Sequence, residues 1–191
     1  MSGFEYLIAL VSVVAGLGLT RALSGLAKIV HLRNKIRLSG VHIAWTGSIL
    51  LWLVSYWWFT FLLAEIDQWT VLLFMFVLVY GAVIYFLIAL LYPDEWDSGA
   101  DLFEYFINNR RWFFGTFVGL GFLDLADTWL KVRLVGDDLP MIPYIGLMTT
   151  WLVLGTVGAI TPNRTYHKAF AYVWVLVFGS WAIGILFTIS G

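Results

Sequence analysis

Three ionisable residues lie inside long apolar stretches of the sequence: Arg21, Asp124 and Asp127. A charged side chain within a bilayer costs a few kcal/mol, so such residues normally face protein or a water-filled cavity. Helical spacing puts Gly18 on the same stripe as Arg21, and Gly121 on the same stripe as Asp124. We therefore expect these five residues to line a polar path for an ion or small solute, between the first and fourth apolar segments.

The same charges have a structural alternative. Arg21 would extend its guanidinium to the membrane surface, and Asp127 would pair with Lys131 one helical turn later. The spacing of Asp124 and Asp127 also resembles that of carboxylate pairs that hold magnesium and a pyrophosphate. Such enzymes present a second acidic motif on another helix, and the other apolar segments have none. We therefore expect no metal site, no cofactor and no catalytic residue, and we favour a protein that is not an enzyme.

Three further residues are secondary candidates for binding: Glu5, His42 and Trp45. Glu5 lies where the first apolar segment begins, a position typical of a solvated charge that complements the helix dipole. His42 shares with His31 and His167 a place near the same predicted ends of three segments, as ligation of a metal or haem would require. Single histidines at an interface more often bond to water, lipid phosphate or a carbonyl. Trp45 is expected at the membrane interface.

The composition indicates which kind of fold must position these residues. Of 191 residues, 61% are hydrophobic and 12% are charged, and the mean hydropathy is +0.88. A soluble domain is nearer half apolar and a quarter charged. We predict an all-α integral membrane protein that forms a single transmembrane domain over residues 1–191, in contact with the lipid bilayer. The net charge of −1 gives no case for nucleic acid as a partner, and the absence of cysteine excludes disulfide and thiolate chemistry.

The apolar stretches are long enough for six membrane spans of roughly 20 residues or more. A short interfacial helix is predicted over about 99–110, because Ser98 and Asp101 have the spacing of a capping box. Of the Lys and Arg residues outside Arg21, eight fall on one side of the bilayer and two on the other. The richer side should be cytoplasmic, which places both termini on the outer, periplasmic side. The predicted spans are 4–30, 39–64, 69–92, 112–131, 141–161 and 169–190.

The two halves of the chain show a weak internal similarity. Gly16-Leu-Gly18 aligns with Gly119-Leu-Gly121, and Trp52-Leu-Val54 aligns with Trp151-Leu-Val153. Three spans in each half would give a 3+3 inverted repeat, an arrangement typical of transporters. A homo-oligomer would associate through the glycine-containing faces around Gly81 and Gly179.

Two functional hypotheses follow. The first is a small transporter or channel for an ion or small solute. The second is a non-transporting accessory or scaffold subunit that binds partner helices, and residues 93–111 are a further candidate for docking a protein partner.

Four short stretches resemble a family of small multi-pass bacterial inner-membrane proteins that has no defined function. They are Phe4-Glu5-Tyr6, Gly16-Leu-Gly-Leu-Thr20, His42 with Trp45, and Tyr56-Trp-Trp58. The similarity covers the first two predicted spans, about a third of the chain. It implies a location in the bacterial inner membrane, and it carries over no catalytic or binding role.

Overall fold

The computed structural model describes residues 3–66, 69–96, 99–134, 136 and 141–189. These residues form six α-helices and no strand. The second helix continues as a 3-10 helix over Thr60–Glu65. The α-helices are α1 (Gly3–Leu32), α2 (Gly40–Phe59), α3 (Val71–Leu91), α4 (Leu102–Leu134), α5 (Met141–Ile160) and α6 (Arg164–Ile189).

The helices have the dimensions and surface of membrane-spanning segments. In the described part of the chain, five stretches are long and apolar enough to cross a bilayer. Large apolar side chains also point outward along the bundle, as lipid contact requires; Leu17, Phe86 and Leu176 are examples, each at least half exposed. These features are those of a membrane protein. The five stretches are Gly3–Leu32, Gly40–Ala64, Val71–Leu91, Leu102–Leu134 and Pro143–Ile160.

Side chains that accept backbone N–H groups fix where three helices begin. Thr70 accepts the N–H of Leu73 at the start of α3. Asp101 accepts the N–H groups of Phe103 and Glu104 at the start of α4, at 2.9 and 3.0 Å. Asn163 caps α6 in the same way, and α6 therefore begins five residues before the predicted span at 169. The capping role expected of Ser98 lies outside the described residues.

The separate interfacial helix expected over 99–110 is wrong, because α4 continues from Leu102 to Leu134 without a break. Nothing between residues 102 and 112 interrupts it: this stretch contains neither proline nor glycine. Its apolar side chains Leu102, Phe103, Phe106 and Ile107 are buried inside the chain. These side chains therefore pack inside the bundle, and docking of a protein partner at residues 93–111 stays a prediction.

The centre of the bundle is filled by aromatic rings. Trp45 of α2 lies within 5.0–5.7 Å, centroid to centroid, of four phenylalanine rings from α4 and α6. Trp174 packs edge to face on Phe117, so rings from three helices interlock at offset or perpendicular angles, which their quadrupoles favour. We call this set the aromatic cluster: Trp45, Phe106, Phe113, Phe114, Phe117, Phe170 and Trp174.

The packing of the two halves gives the inverted repeat no support. In the first half, α1 packs against both α2 and α3, with α3 as its main neighbour. In the second half, α4 packs chiefly against α5 and α3, and α6 lies mainly along α2. A pseudo-twofold axis would require α4 to meet α6 as α1 meets α3.

A close approach between α1 and the residue after α3 gives a direct test of this packing. A Cβ atom on Gly25 would lie 2.5 Å from the ring of Tyr92, whereas one on Gly16 of the same helix would meet nothing within 4 Å. Tyr92 is buried, and its hydroxyl is 2.6 Å from that of Thr46, so its ring has little freedom to move.

We expect Gly25→Ala to lower the free energy of unfolding by about 1–3 kcal/mol, the usual cost of overpacking. Gly16→Ala should leave it unchanged or raise it by about 0.5–1 kcal/mol through helix propensity. Unfolding of both variants in detergent micelles measures the difference. Equal effects of the two changes would contradict the α1 packing described above.

Candidate functional site

The carboxylate of Asp124 accepts hydrogen bonds from tyrosines of two other helices. Tyr80 of α3 donates its hydroxyl to Oδ1 at 2.7 Å, and Tyr144 of α5 donates to Oδ2 at 3.0 Å. Trp52 of α2 donates its indole N–H to the Tyr80 hydroxyl at 3.1 Å. The result is a hydrogen-bonded chain from Trp52 through Tyr80 to Asp124. The carboxylate accepts hydrogen bonds from two uncharged hydroxyl groups, and both tyrosines are buried.

The second carboxylate of the stripe is neutralised locally. Asp127 and Lys131 form an ion pair of 2.5 Å along α4, with side chains only 16% and 10% exposed. This is the pair named in the structural alternative. Among the described residues, Asp124 has no cationic partner within 4 Å, so the site holds two carboxylates and one ammonium group.

A small cavity adjoins both carboxylates. Its free volume is about 40 Å³, and a water molecule needs roughly 10–15 Å³ of such volume. The cavity can therefore hold a few water molecules or a small cation with part of its hydration, and it is too small for an organic solute. Its polar lining consists of Asp124, Asp127, Lys131, Ser55, Tyr56, Tyr80 and the three indoles Trp52, Trp151 and Trp181.

Two glycines let the helices come close enough to build this site. A Cβ on Gly121 would lie 2.9 Å from the side chain of Leu152, so side chains of α5 pack directly against the backbone of α4 there. A Cβ on Gly81 would lie 2.9 Å from the hydroxyl of Tyr56, which donates to the carbonyl of Val77. Gly81 is thus buried within the chain, and association of copies through the faces around Gly81 and Gly179 stays a prediction. Gly179 has nothing within 4 Å of such a Cβ.

The structure does not bring Arg21 to Asp124. Arg21 forms an ion pair with Asp94, in the connection after α3, at 2.6 Å, and its side chain is 30% exposed. Gly18 packs against Leu53 and Ile88. Helix α3 packs against both α1 and α4, and the stripe on α1 faces α2 and α3. Neither Arg21 nor Gly18 lines the cavity. The five predicted residues therefore do not form one site. Asp124, Asp127 and Gly121 lie together on α4, and Arg21 and Gly18 lie elsewhere.

The secondary candidates lie elsewhere. Glu5 is exposed in the first turn of α1. His42 is fully buried between Tyr92 and Phe106. Trp45 is also fully buried, in the aromatic cluster, so its expected interfacial position is wrong.

The other two histidines bond to the protein backbone. His167 packs on the ring of Phe106, and its Nε2 lies 2.8 Å from the carbonyl oxygen of Thr161. His31 lies on the exposed surface of α1, with Nδ1 at 2.8 Å from the carbonyl oxygen of Ala27. Among the residues described, no group of histidines and carboxylates has metal-binding geometry.

Sequence reasoning missed Tyr80 and Tyr144 as members of the site. A signal was present, since each tyrosine lies inside an apolar segment, where a buried phenol needs a hydrogen-bond partner. This signal could have identified the two tyrosines as polar groups in the interior. It could not have shown which carboxylate they contact.

Comparison with known proteins adds no further constraint. No family model, curated protein or solved structure matches this chain. The resemblance to small bacterial inner-membrane proteins therefore stays a prediction. The case for function depends on the chemistry of the Asp124 cavity alone.

Proposed function

We propose that all six helices cross the bilayer, with the Lys- and Arg-rich ends of the bundle in the cytoplasm and both termini outside. Helix α6 has 26 residues, which span about 39 Å at 1.5 Å per residue, and it lies along α2. The asymmetry of loop charges supports the orientation. A bacterial inner membrane is the location that this topology and the family resemblance favour.

Within that topology, we propose that the protein binds a proton or small monovalent cation at Asp124 while it moves an ion or small solute across the membrane. One observation carries the proposal: a carboxylate enclosed by four helices has no cationic partner among the described residues and adjoins a water-sized cavity. An intramembrane carboxylate of this kind is costly to keep and marks a functional site by default. The two phenols orient it without neutralising it.

The cavity lies toward the end of the bundle where α2 finishes and α5 begins, which is the outer side in the proposed orientation. On the cytoplasmic side of it, the aromatic cluster fills the interior. In this proposal the ion at Asp124 exchanges with the outer side. Passage of the ion to the cytoplasm requires the rings of the aromatic cluster to move. Binding at Asp124 would precede that movement.

Ion flux into vesicles tests this proposal. The full chain is reconstituted into liposomes that enclose a pH-sensitive or sodium-sensitive dye, and a potassium diffusion potential is imposed with valinomycin. We expect the wild-type protein to carry protons or sodium, and Asp124→Asn to reduce the rate to that of protein-free vesicles. Glu95→Gln, which removes an exposed acid outside the site, should keep the wild-type rate. Flux that is unchanged by Asp124→Asn would refute the role of Asp124.

A second function is favoured by the aromatic cluster itself. Rings that interlock across α2, α4 and α6 leave the cytoplasmic half of the interior filled, which suits an accessory subunit that holds partner helices. In that case Asp124 would be a structural hydrogen-bond acceptor. Absence of proton and sodium flux in wild-type vesicles would favour this function over transport.

A further inference from the structure

A second polar groove lies at the opposite end of the bundle from the Asp124 cavity. It has a free volume of about 400 Å³ and is formed by the connection between α1 and α2, the first turn of α4 and the first turns of α6. This volume is ten times that beside Asp124 and falls within the range of small-molecule sites. The groove can therefore admit a group much larger than a water molecule.

The backbone of the groove is held in place by a short ladder between two connecting segments. Gly99 donates its N–H to the carbonyl of Lys35, and Arg37 donates to that of Ala100, at 2.7 and 2.9 Å. Leu102 donates in turn to the carbonyl of Arg37. The groove is thus a preformed feature whose side chains project from a fixed frame.

Three cations line the groove. Arg37 is 82% exposed and lies 3.9 Å from Asp101, a distance that leaves most of its donors free. Arg164 bonds to Glu104 at 2.7 Å and lies over the ring of Phe103. Lys168 also lies over that ring and, within the described residues, has no carboxylate partner within 4 Å. With both carboxylates counted, the groove keeps a net positive charge.

Uncharged polar side chains also line the groove. Ser39 is only 7% exposed. It lines the groove, and its hydroxyl does not cap α2. The hydroxyl of Tyr172 occupies the place where a side chain on Gly40 would begin. Ser39 and Tyr172 therefore place hydroxyl groups in the groove beside the first turn of α2, and these groups add hydrogen-bond donors to the cations.

We propose that this groove binds the phosphate-bearing headgroup of an anionic phospholipid. Arginine guanidinium groups, a lysine and helix N-terminal N–H groups are the donors that phosphate oxygens accept most strongly. The groove lies where four apolar helices begin or end, at the level of the headgroups, and on the side that the loop charges assign to the cytoplasm. A lipid reaches it from within the bilayer, whereas a soluble phosphate compound must compete with lipid there. This proposal does not depend on transport.

A lipid titration of the purified full chain tests it. Short-chain phosphatidylglycerol, phosphatidylcholine and inorganic phosphate are each added to the protein in a zwitterionic detergent, and thermal unfolding is followed by circular dichroism. We expect phosphatidylglycerol alone to raise the midpoint temperature in a saturable way. Arg37→Gln with Lys168→Gln should weaken its apparent affinity by about tenfold or more. Both side chains are exposed, so the fold should persist.

The matched control removes the same charge nearby. Arg33→Gln with Lys35→Gln changes two exposed cations of the same connection that do not line the groove, and it should weaken affinity by less than about twofold. Ser39→Ala, which changes no charge, should weaken it severalfold. Equal losses in the two double variants would mean diffuse attraction to charge and overturn the site. Comparable stabilisation by inorganic phosphate or by phosphatidylcholine would overturn the assignment to an anionic lipid.

Discussion

Replacing Trp45 with alanine is expected to lower the free energy of unfolding by about 3–5 kcal/mol, the upper range for truncation of a large core side chain. The indole is fully buried and contacts four phenylalanine rings from α4 and α6. Lipid tails are as apolar as these rings, so van der Waals packing is a main force that joins helices in a membrane. Removing the indole opens a void at the point where three helices meet.

Trp112 provides the matched control for this change. It lies on α4 and is 71% exposed, so Trp112→Ala should cost less than about 1 kcal/mol. Unfolding of the two variants in mixed micelles, with a denaturing detergent as titrant, gives the comparison. If both changes cost the same, Trp45 does not hold the helices together.

Lys131→Met is expected to lower the free energy of unfolding by about 3–5 kcal/mol, because it leaves the carboxylate of Asp127 buried without its cation. Asp124 lies one turn earlier on the same face and already lacks a cationic partner among the described residues. The variant would therefore enclose two carboxylates in one small cavity. Removal of the cation also takes away the contact between its ammonium and the ring of Phe59.

A double variant separates the ion pair from general damage to α4. Asp127→Leu combined with Lys131→Met removes both charges, and it should recover most of the loss, since replacing a buried pair with apolar groups is often nearly neutral. Arg133→Met removes an exposed cation two residues away and should cost less than about 1 kcal/mol. A loss in the double variant at least as large as that of Lys131→Met alone would show that Asp127 and Lys131 are not coupled. Thermal unfolding in detergent measures all four proteins.

Interactions within one segment could be predicted from the sequence. The six helices begin and end close to the predicted spans, apart from the early starts of α4 and α6, because long apolar runs and their breaks are local features. The pair between Asp127 and Lys131 is also local, since a spacing of four residues puts both on one helical face.

The tertiary structure decided which side chains from distant parts of the sequence contact each other. Arg21 pairs with Asp94, and Asp124 is held by Tyr80 and Tyr144, across separations that no spacing rule covers. The burial of Trp45 belongs to the same class, because its surroundings come from α4 and α6.

The physical reason is that a membrane helix is apolar on both its lipid-facing and its protein-facing sides. In a soluble helix the polar face identifies the buried one, and here that contrast is missing. Composition therefore determined that the chain forms long apolar helices, and the few polar residues identified Asp124 and Asp127 as candidates. Which faces meet, and hence which side chains surround Asp124, depended on close approaches such as those at Gly121 and Gly81. These close approaches depend on how the helices pack, and the sequence alone does not specify them.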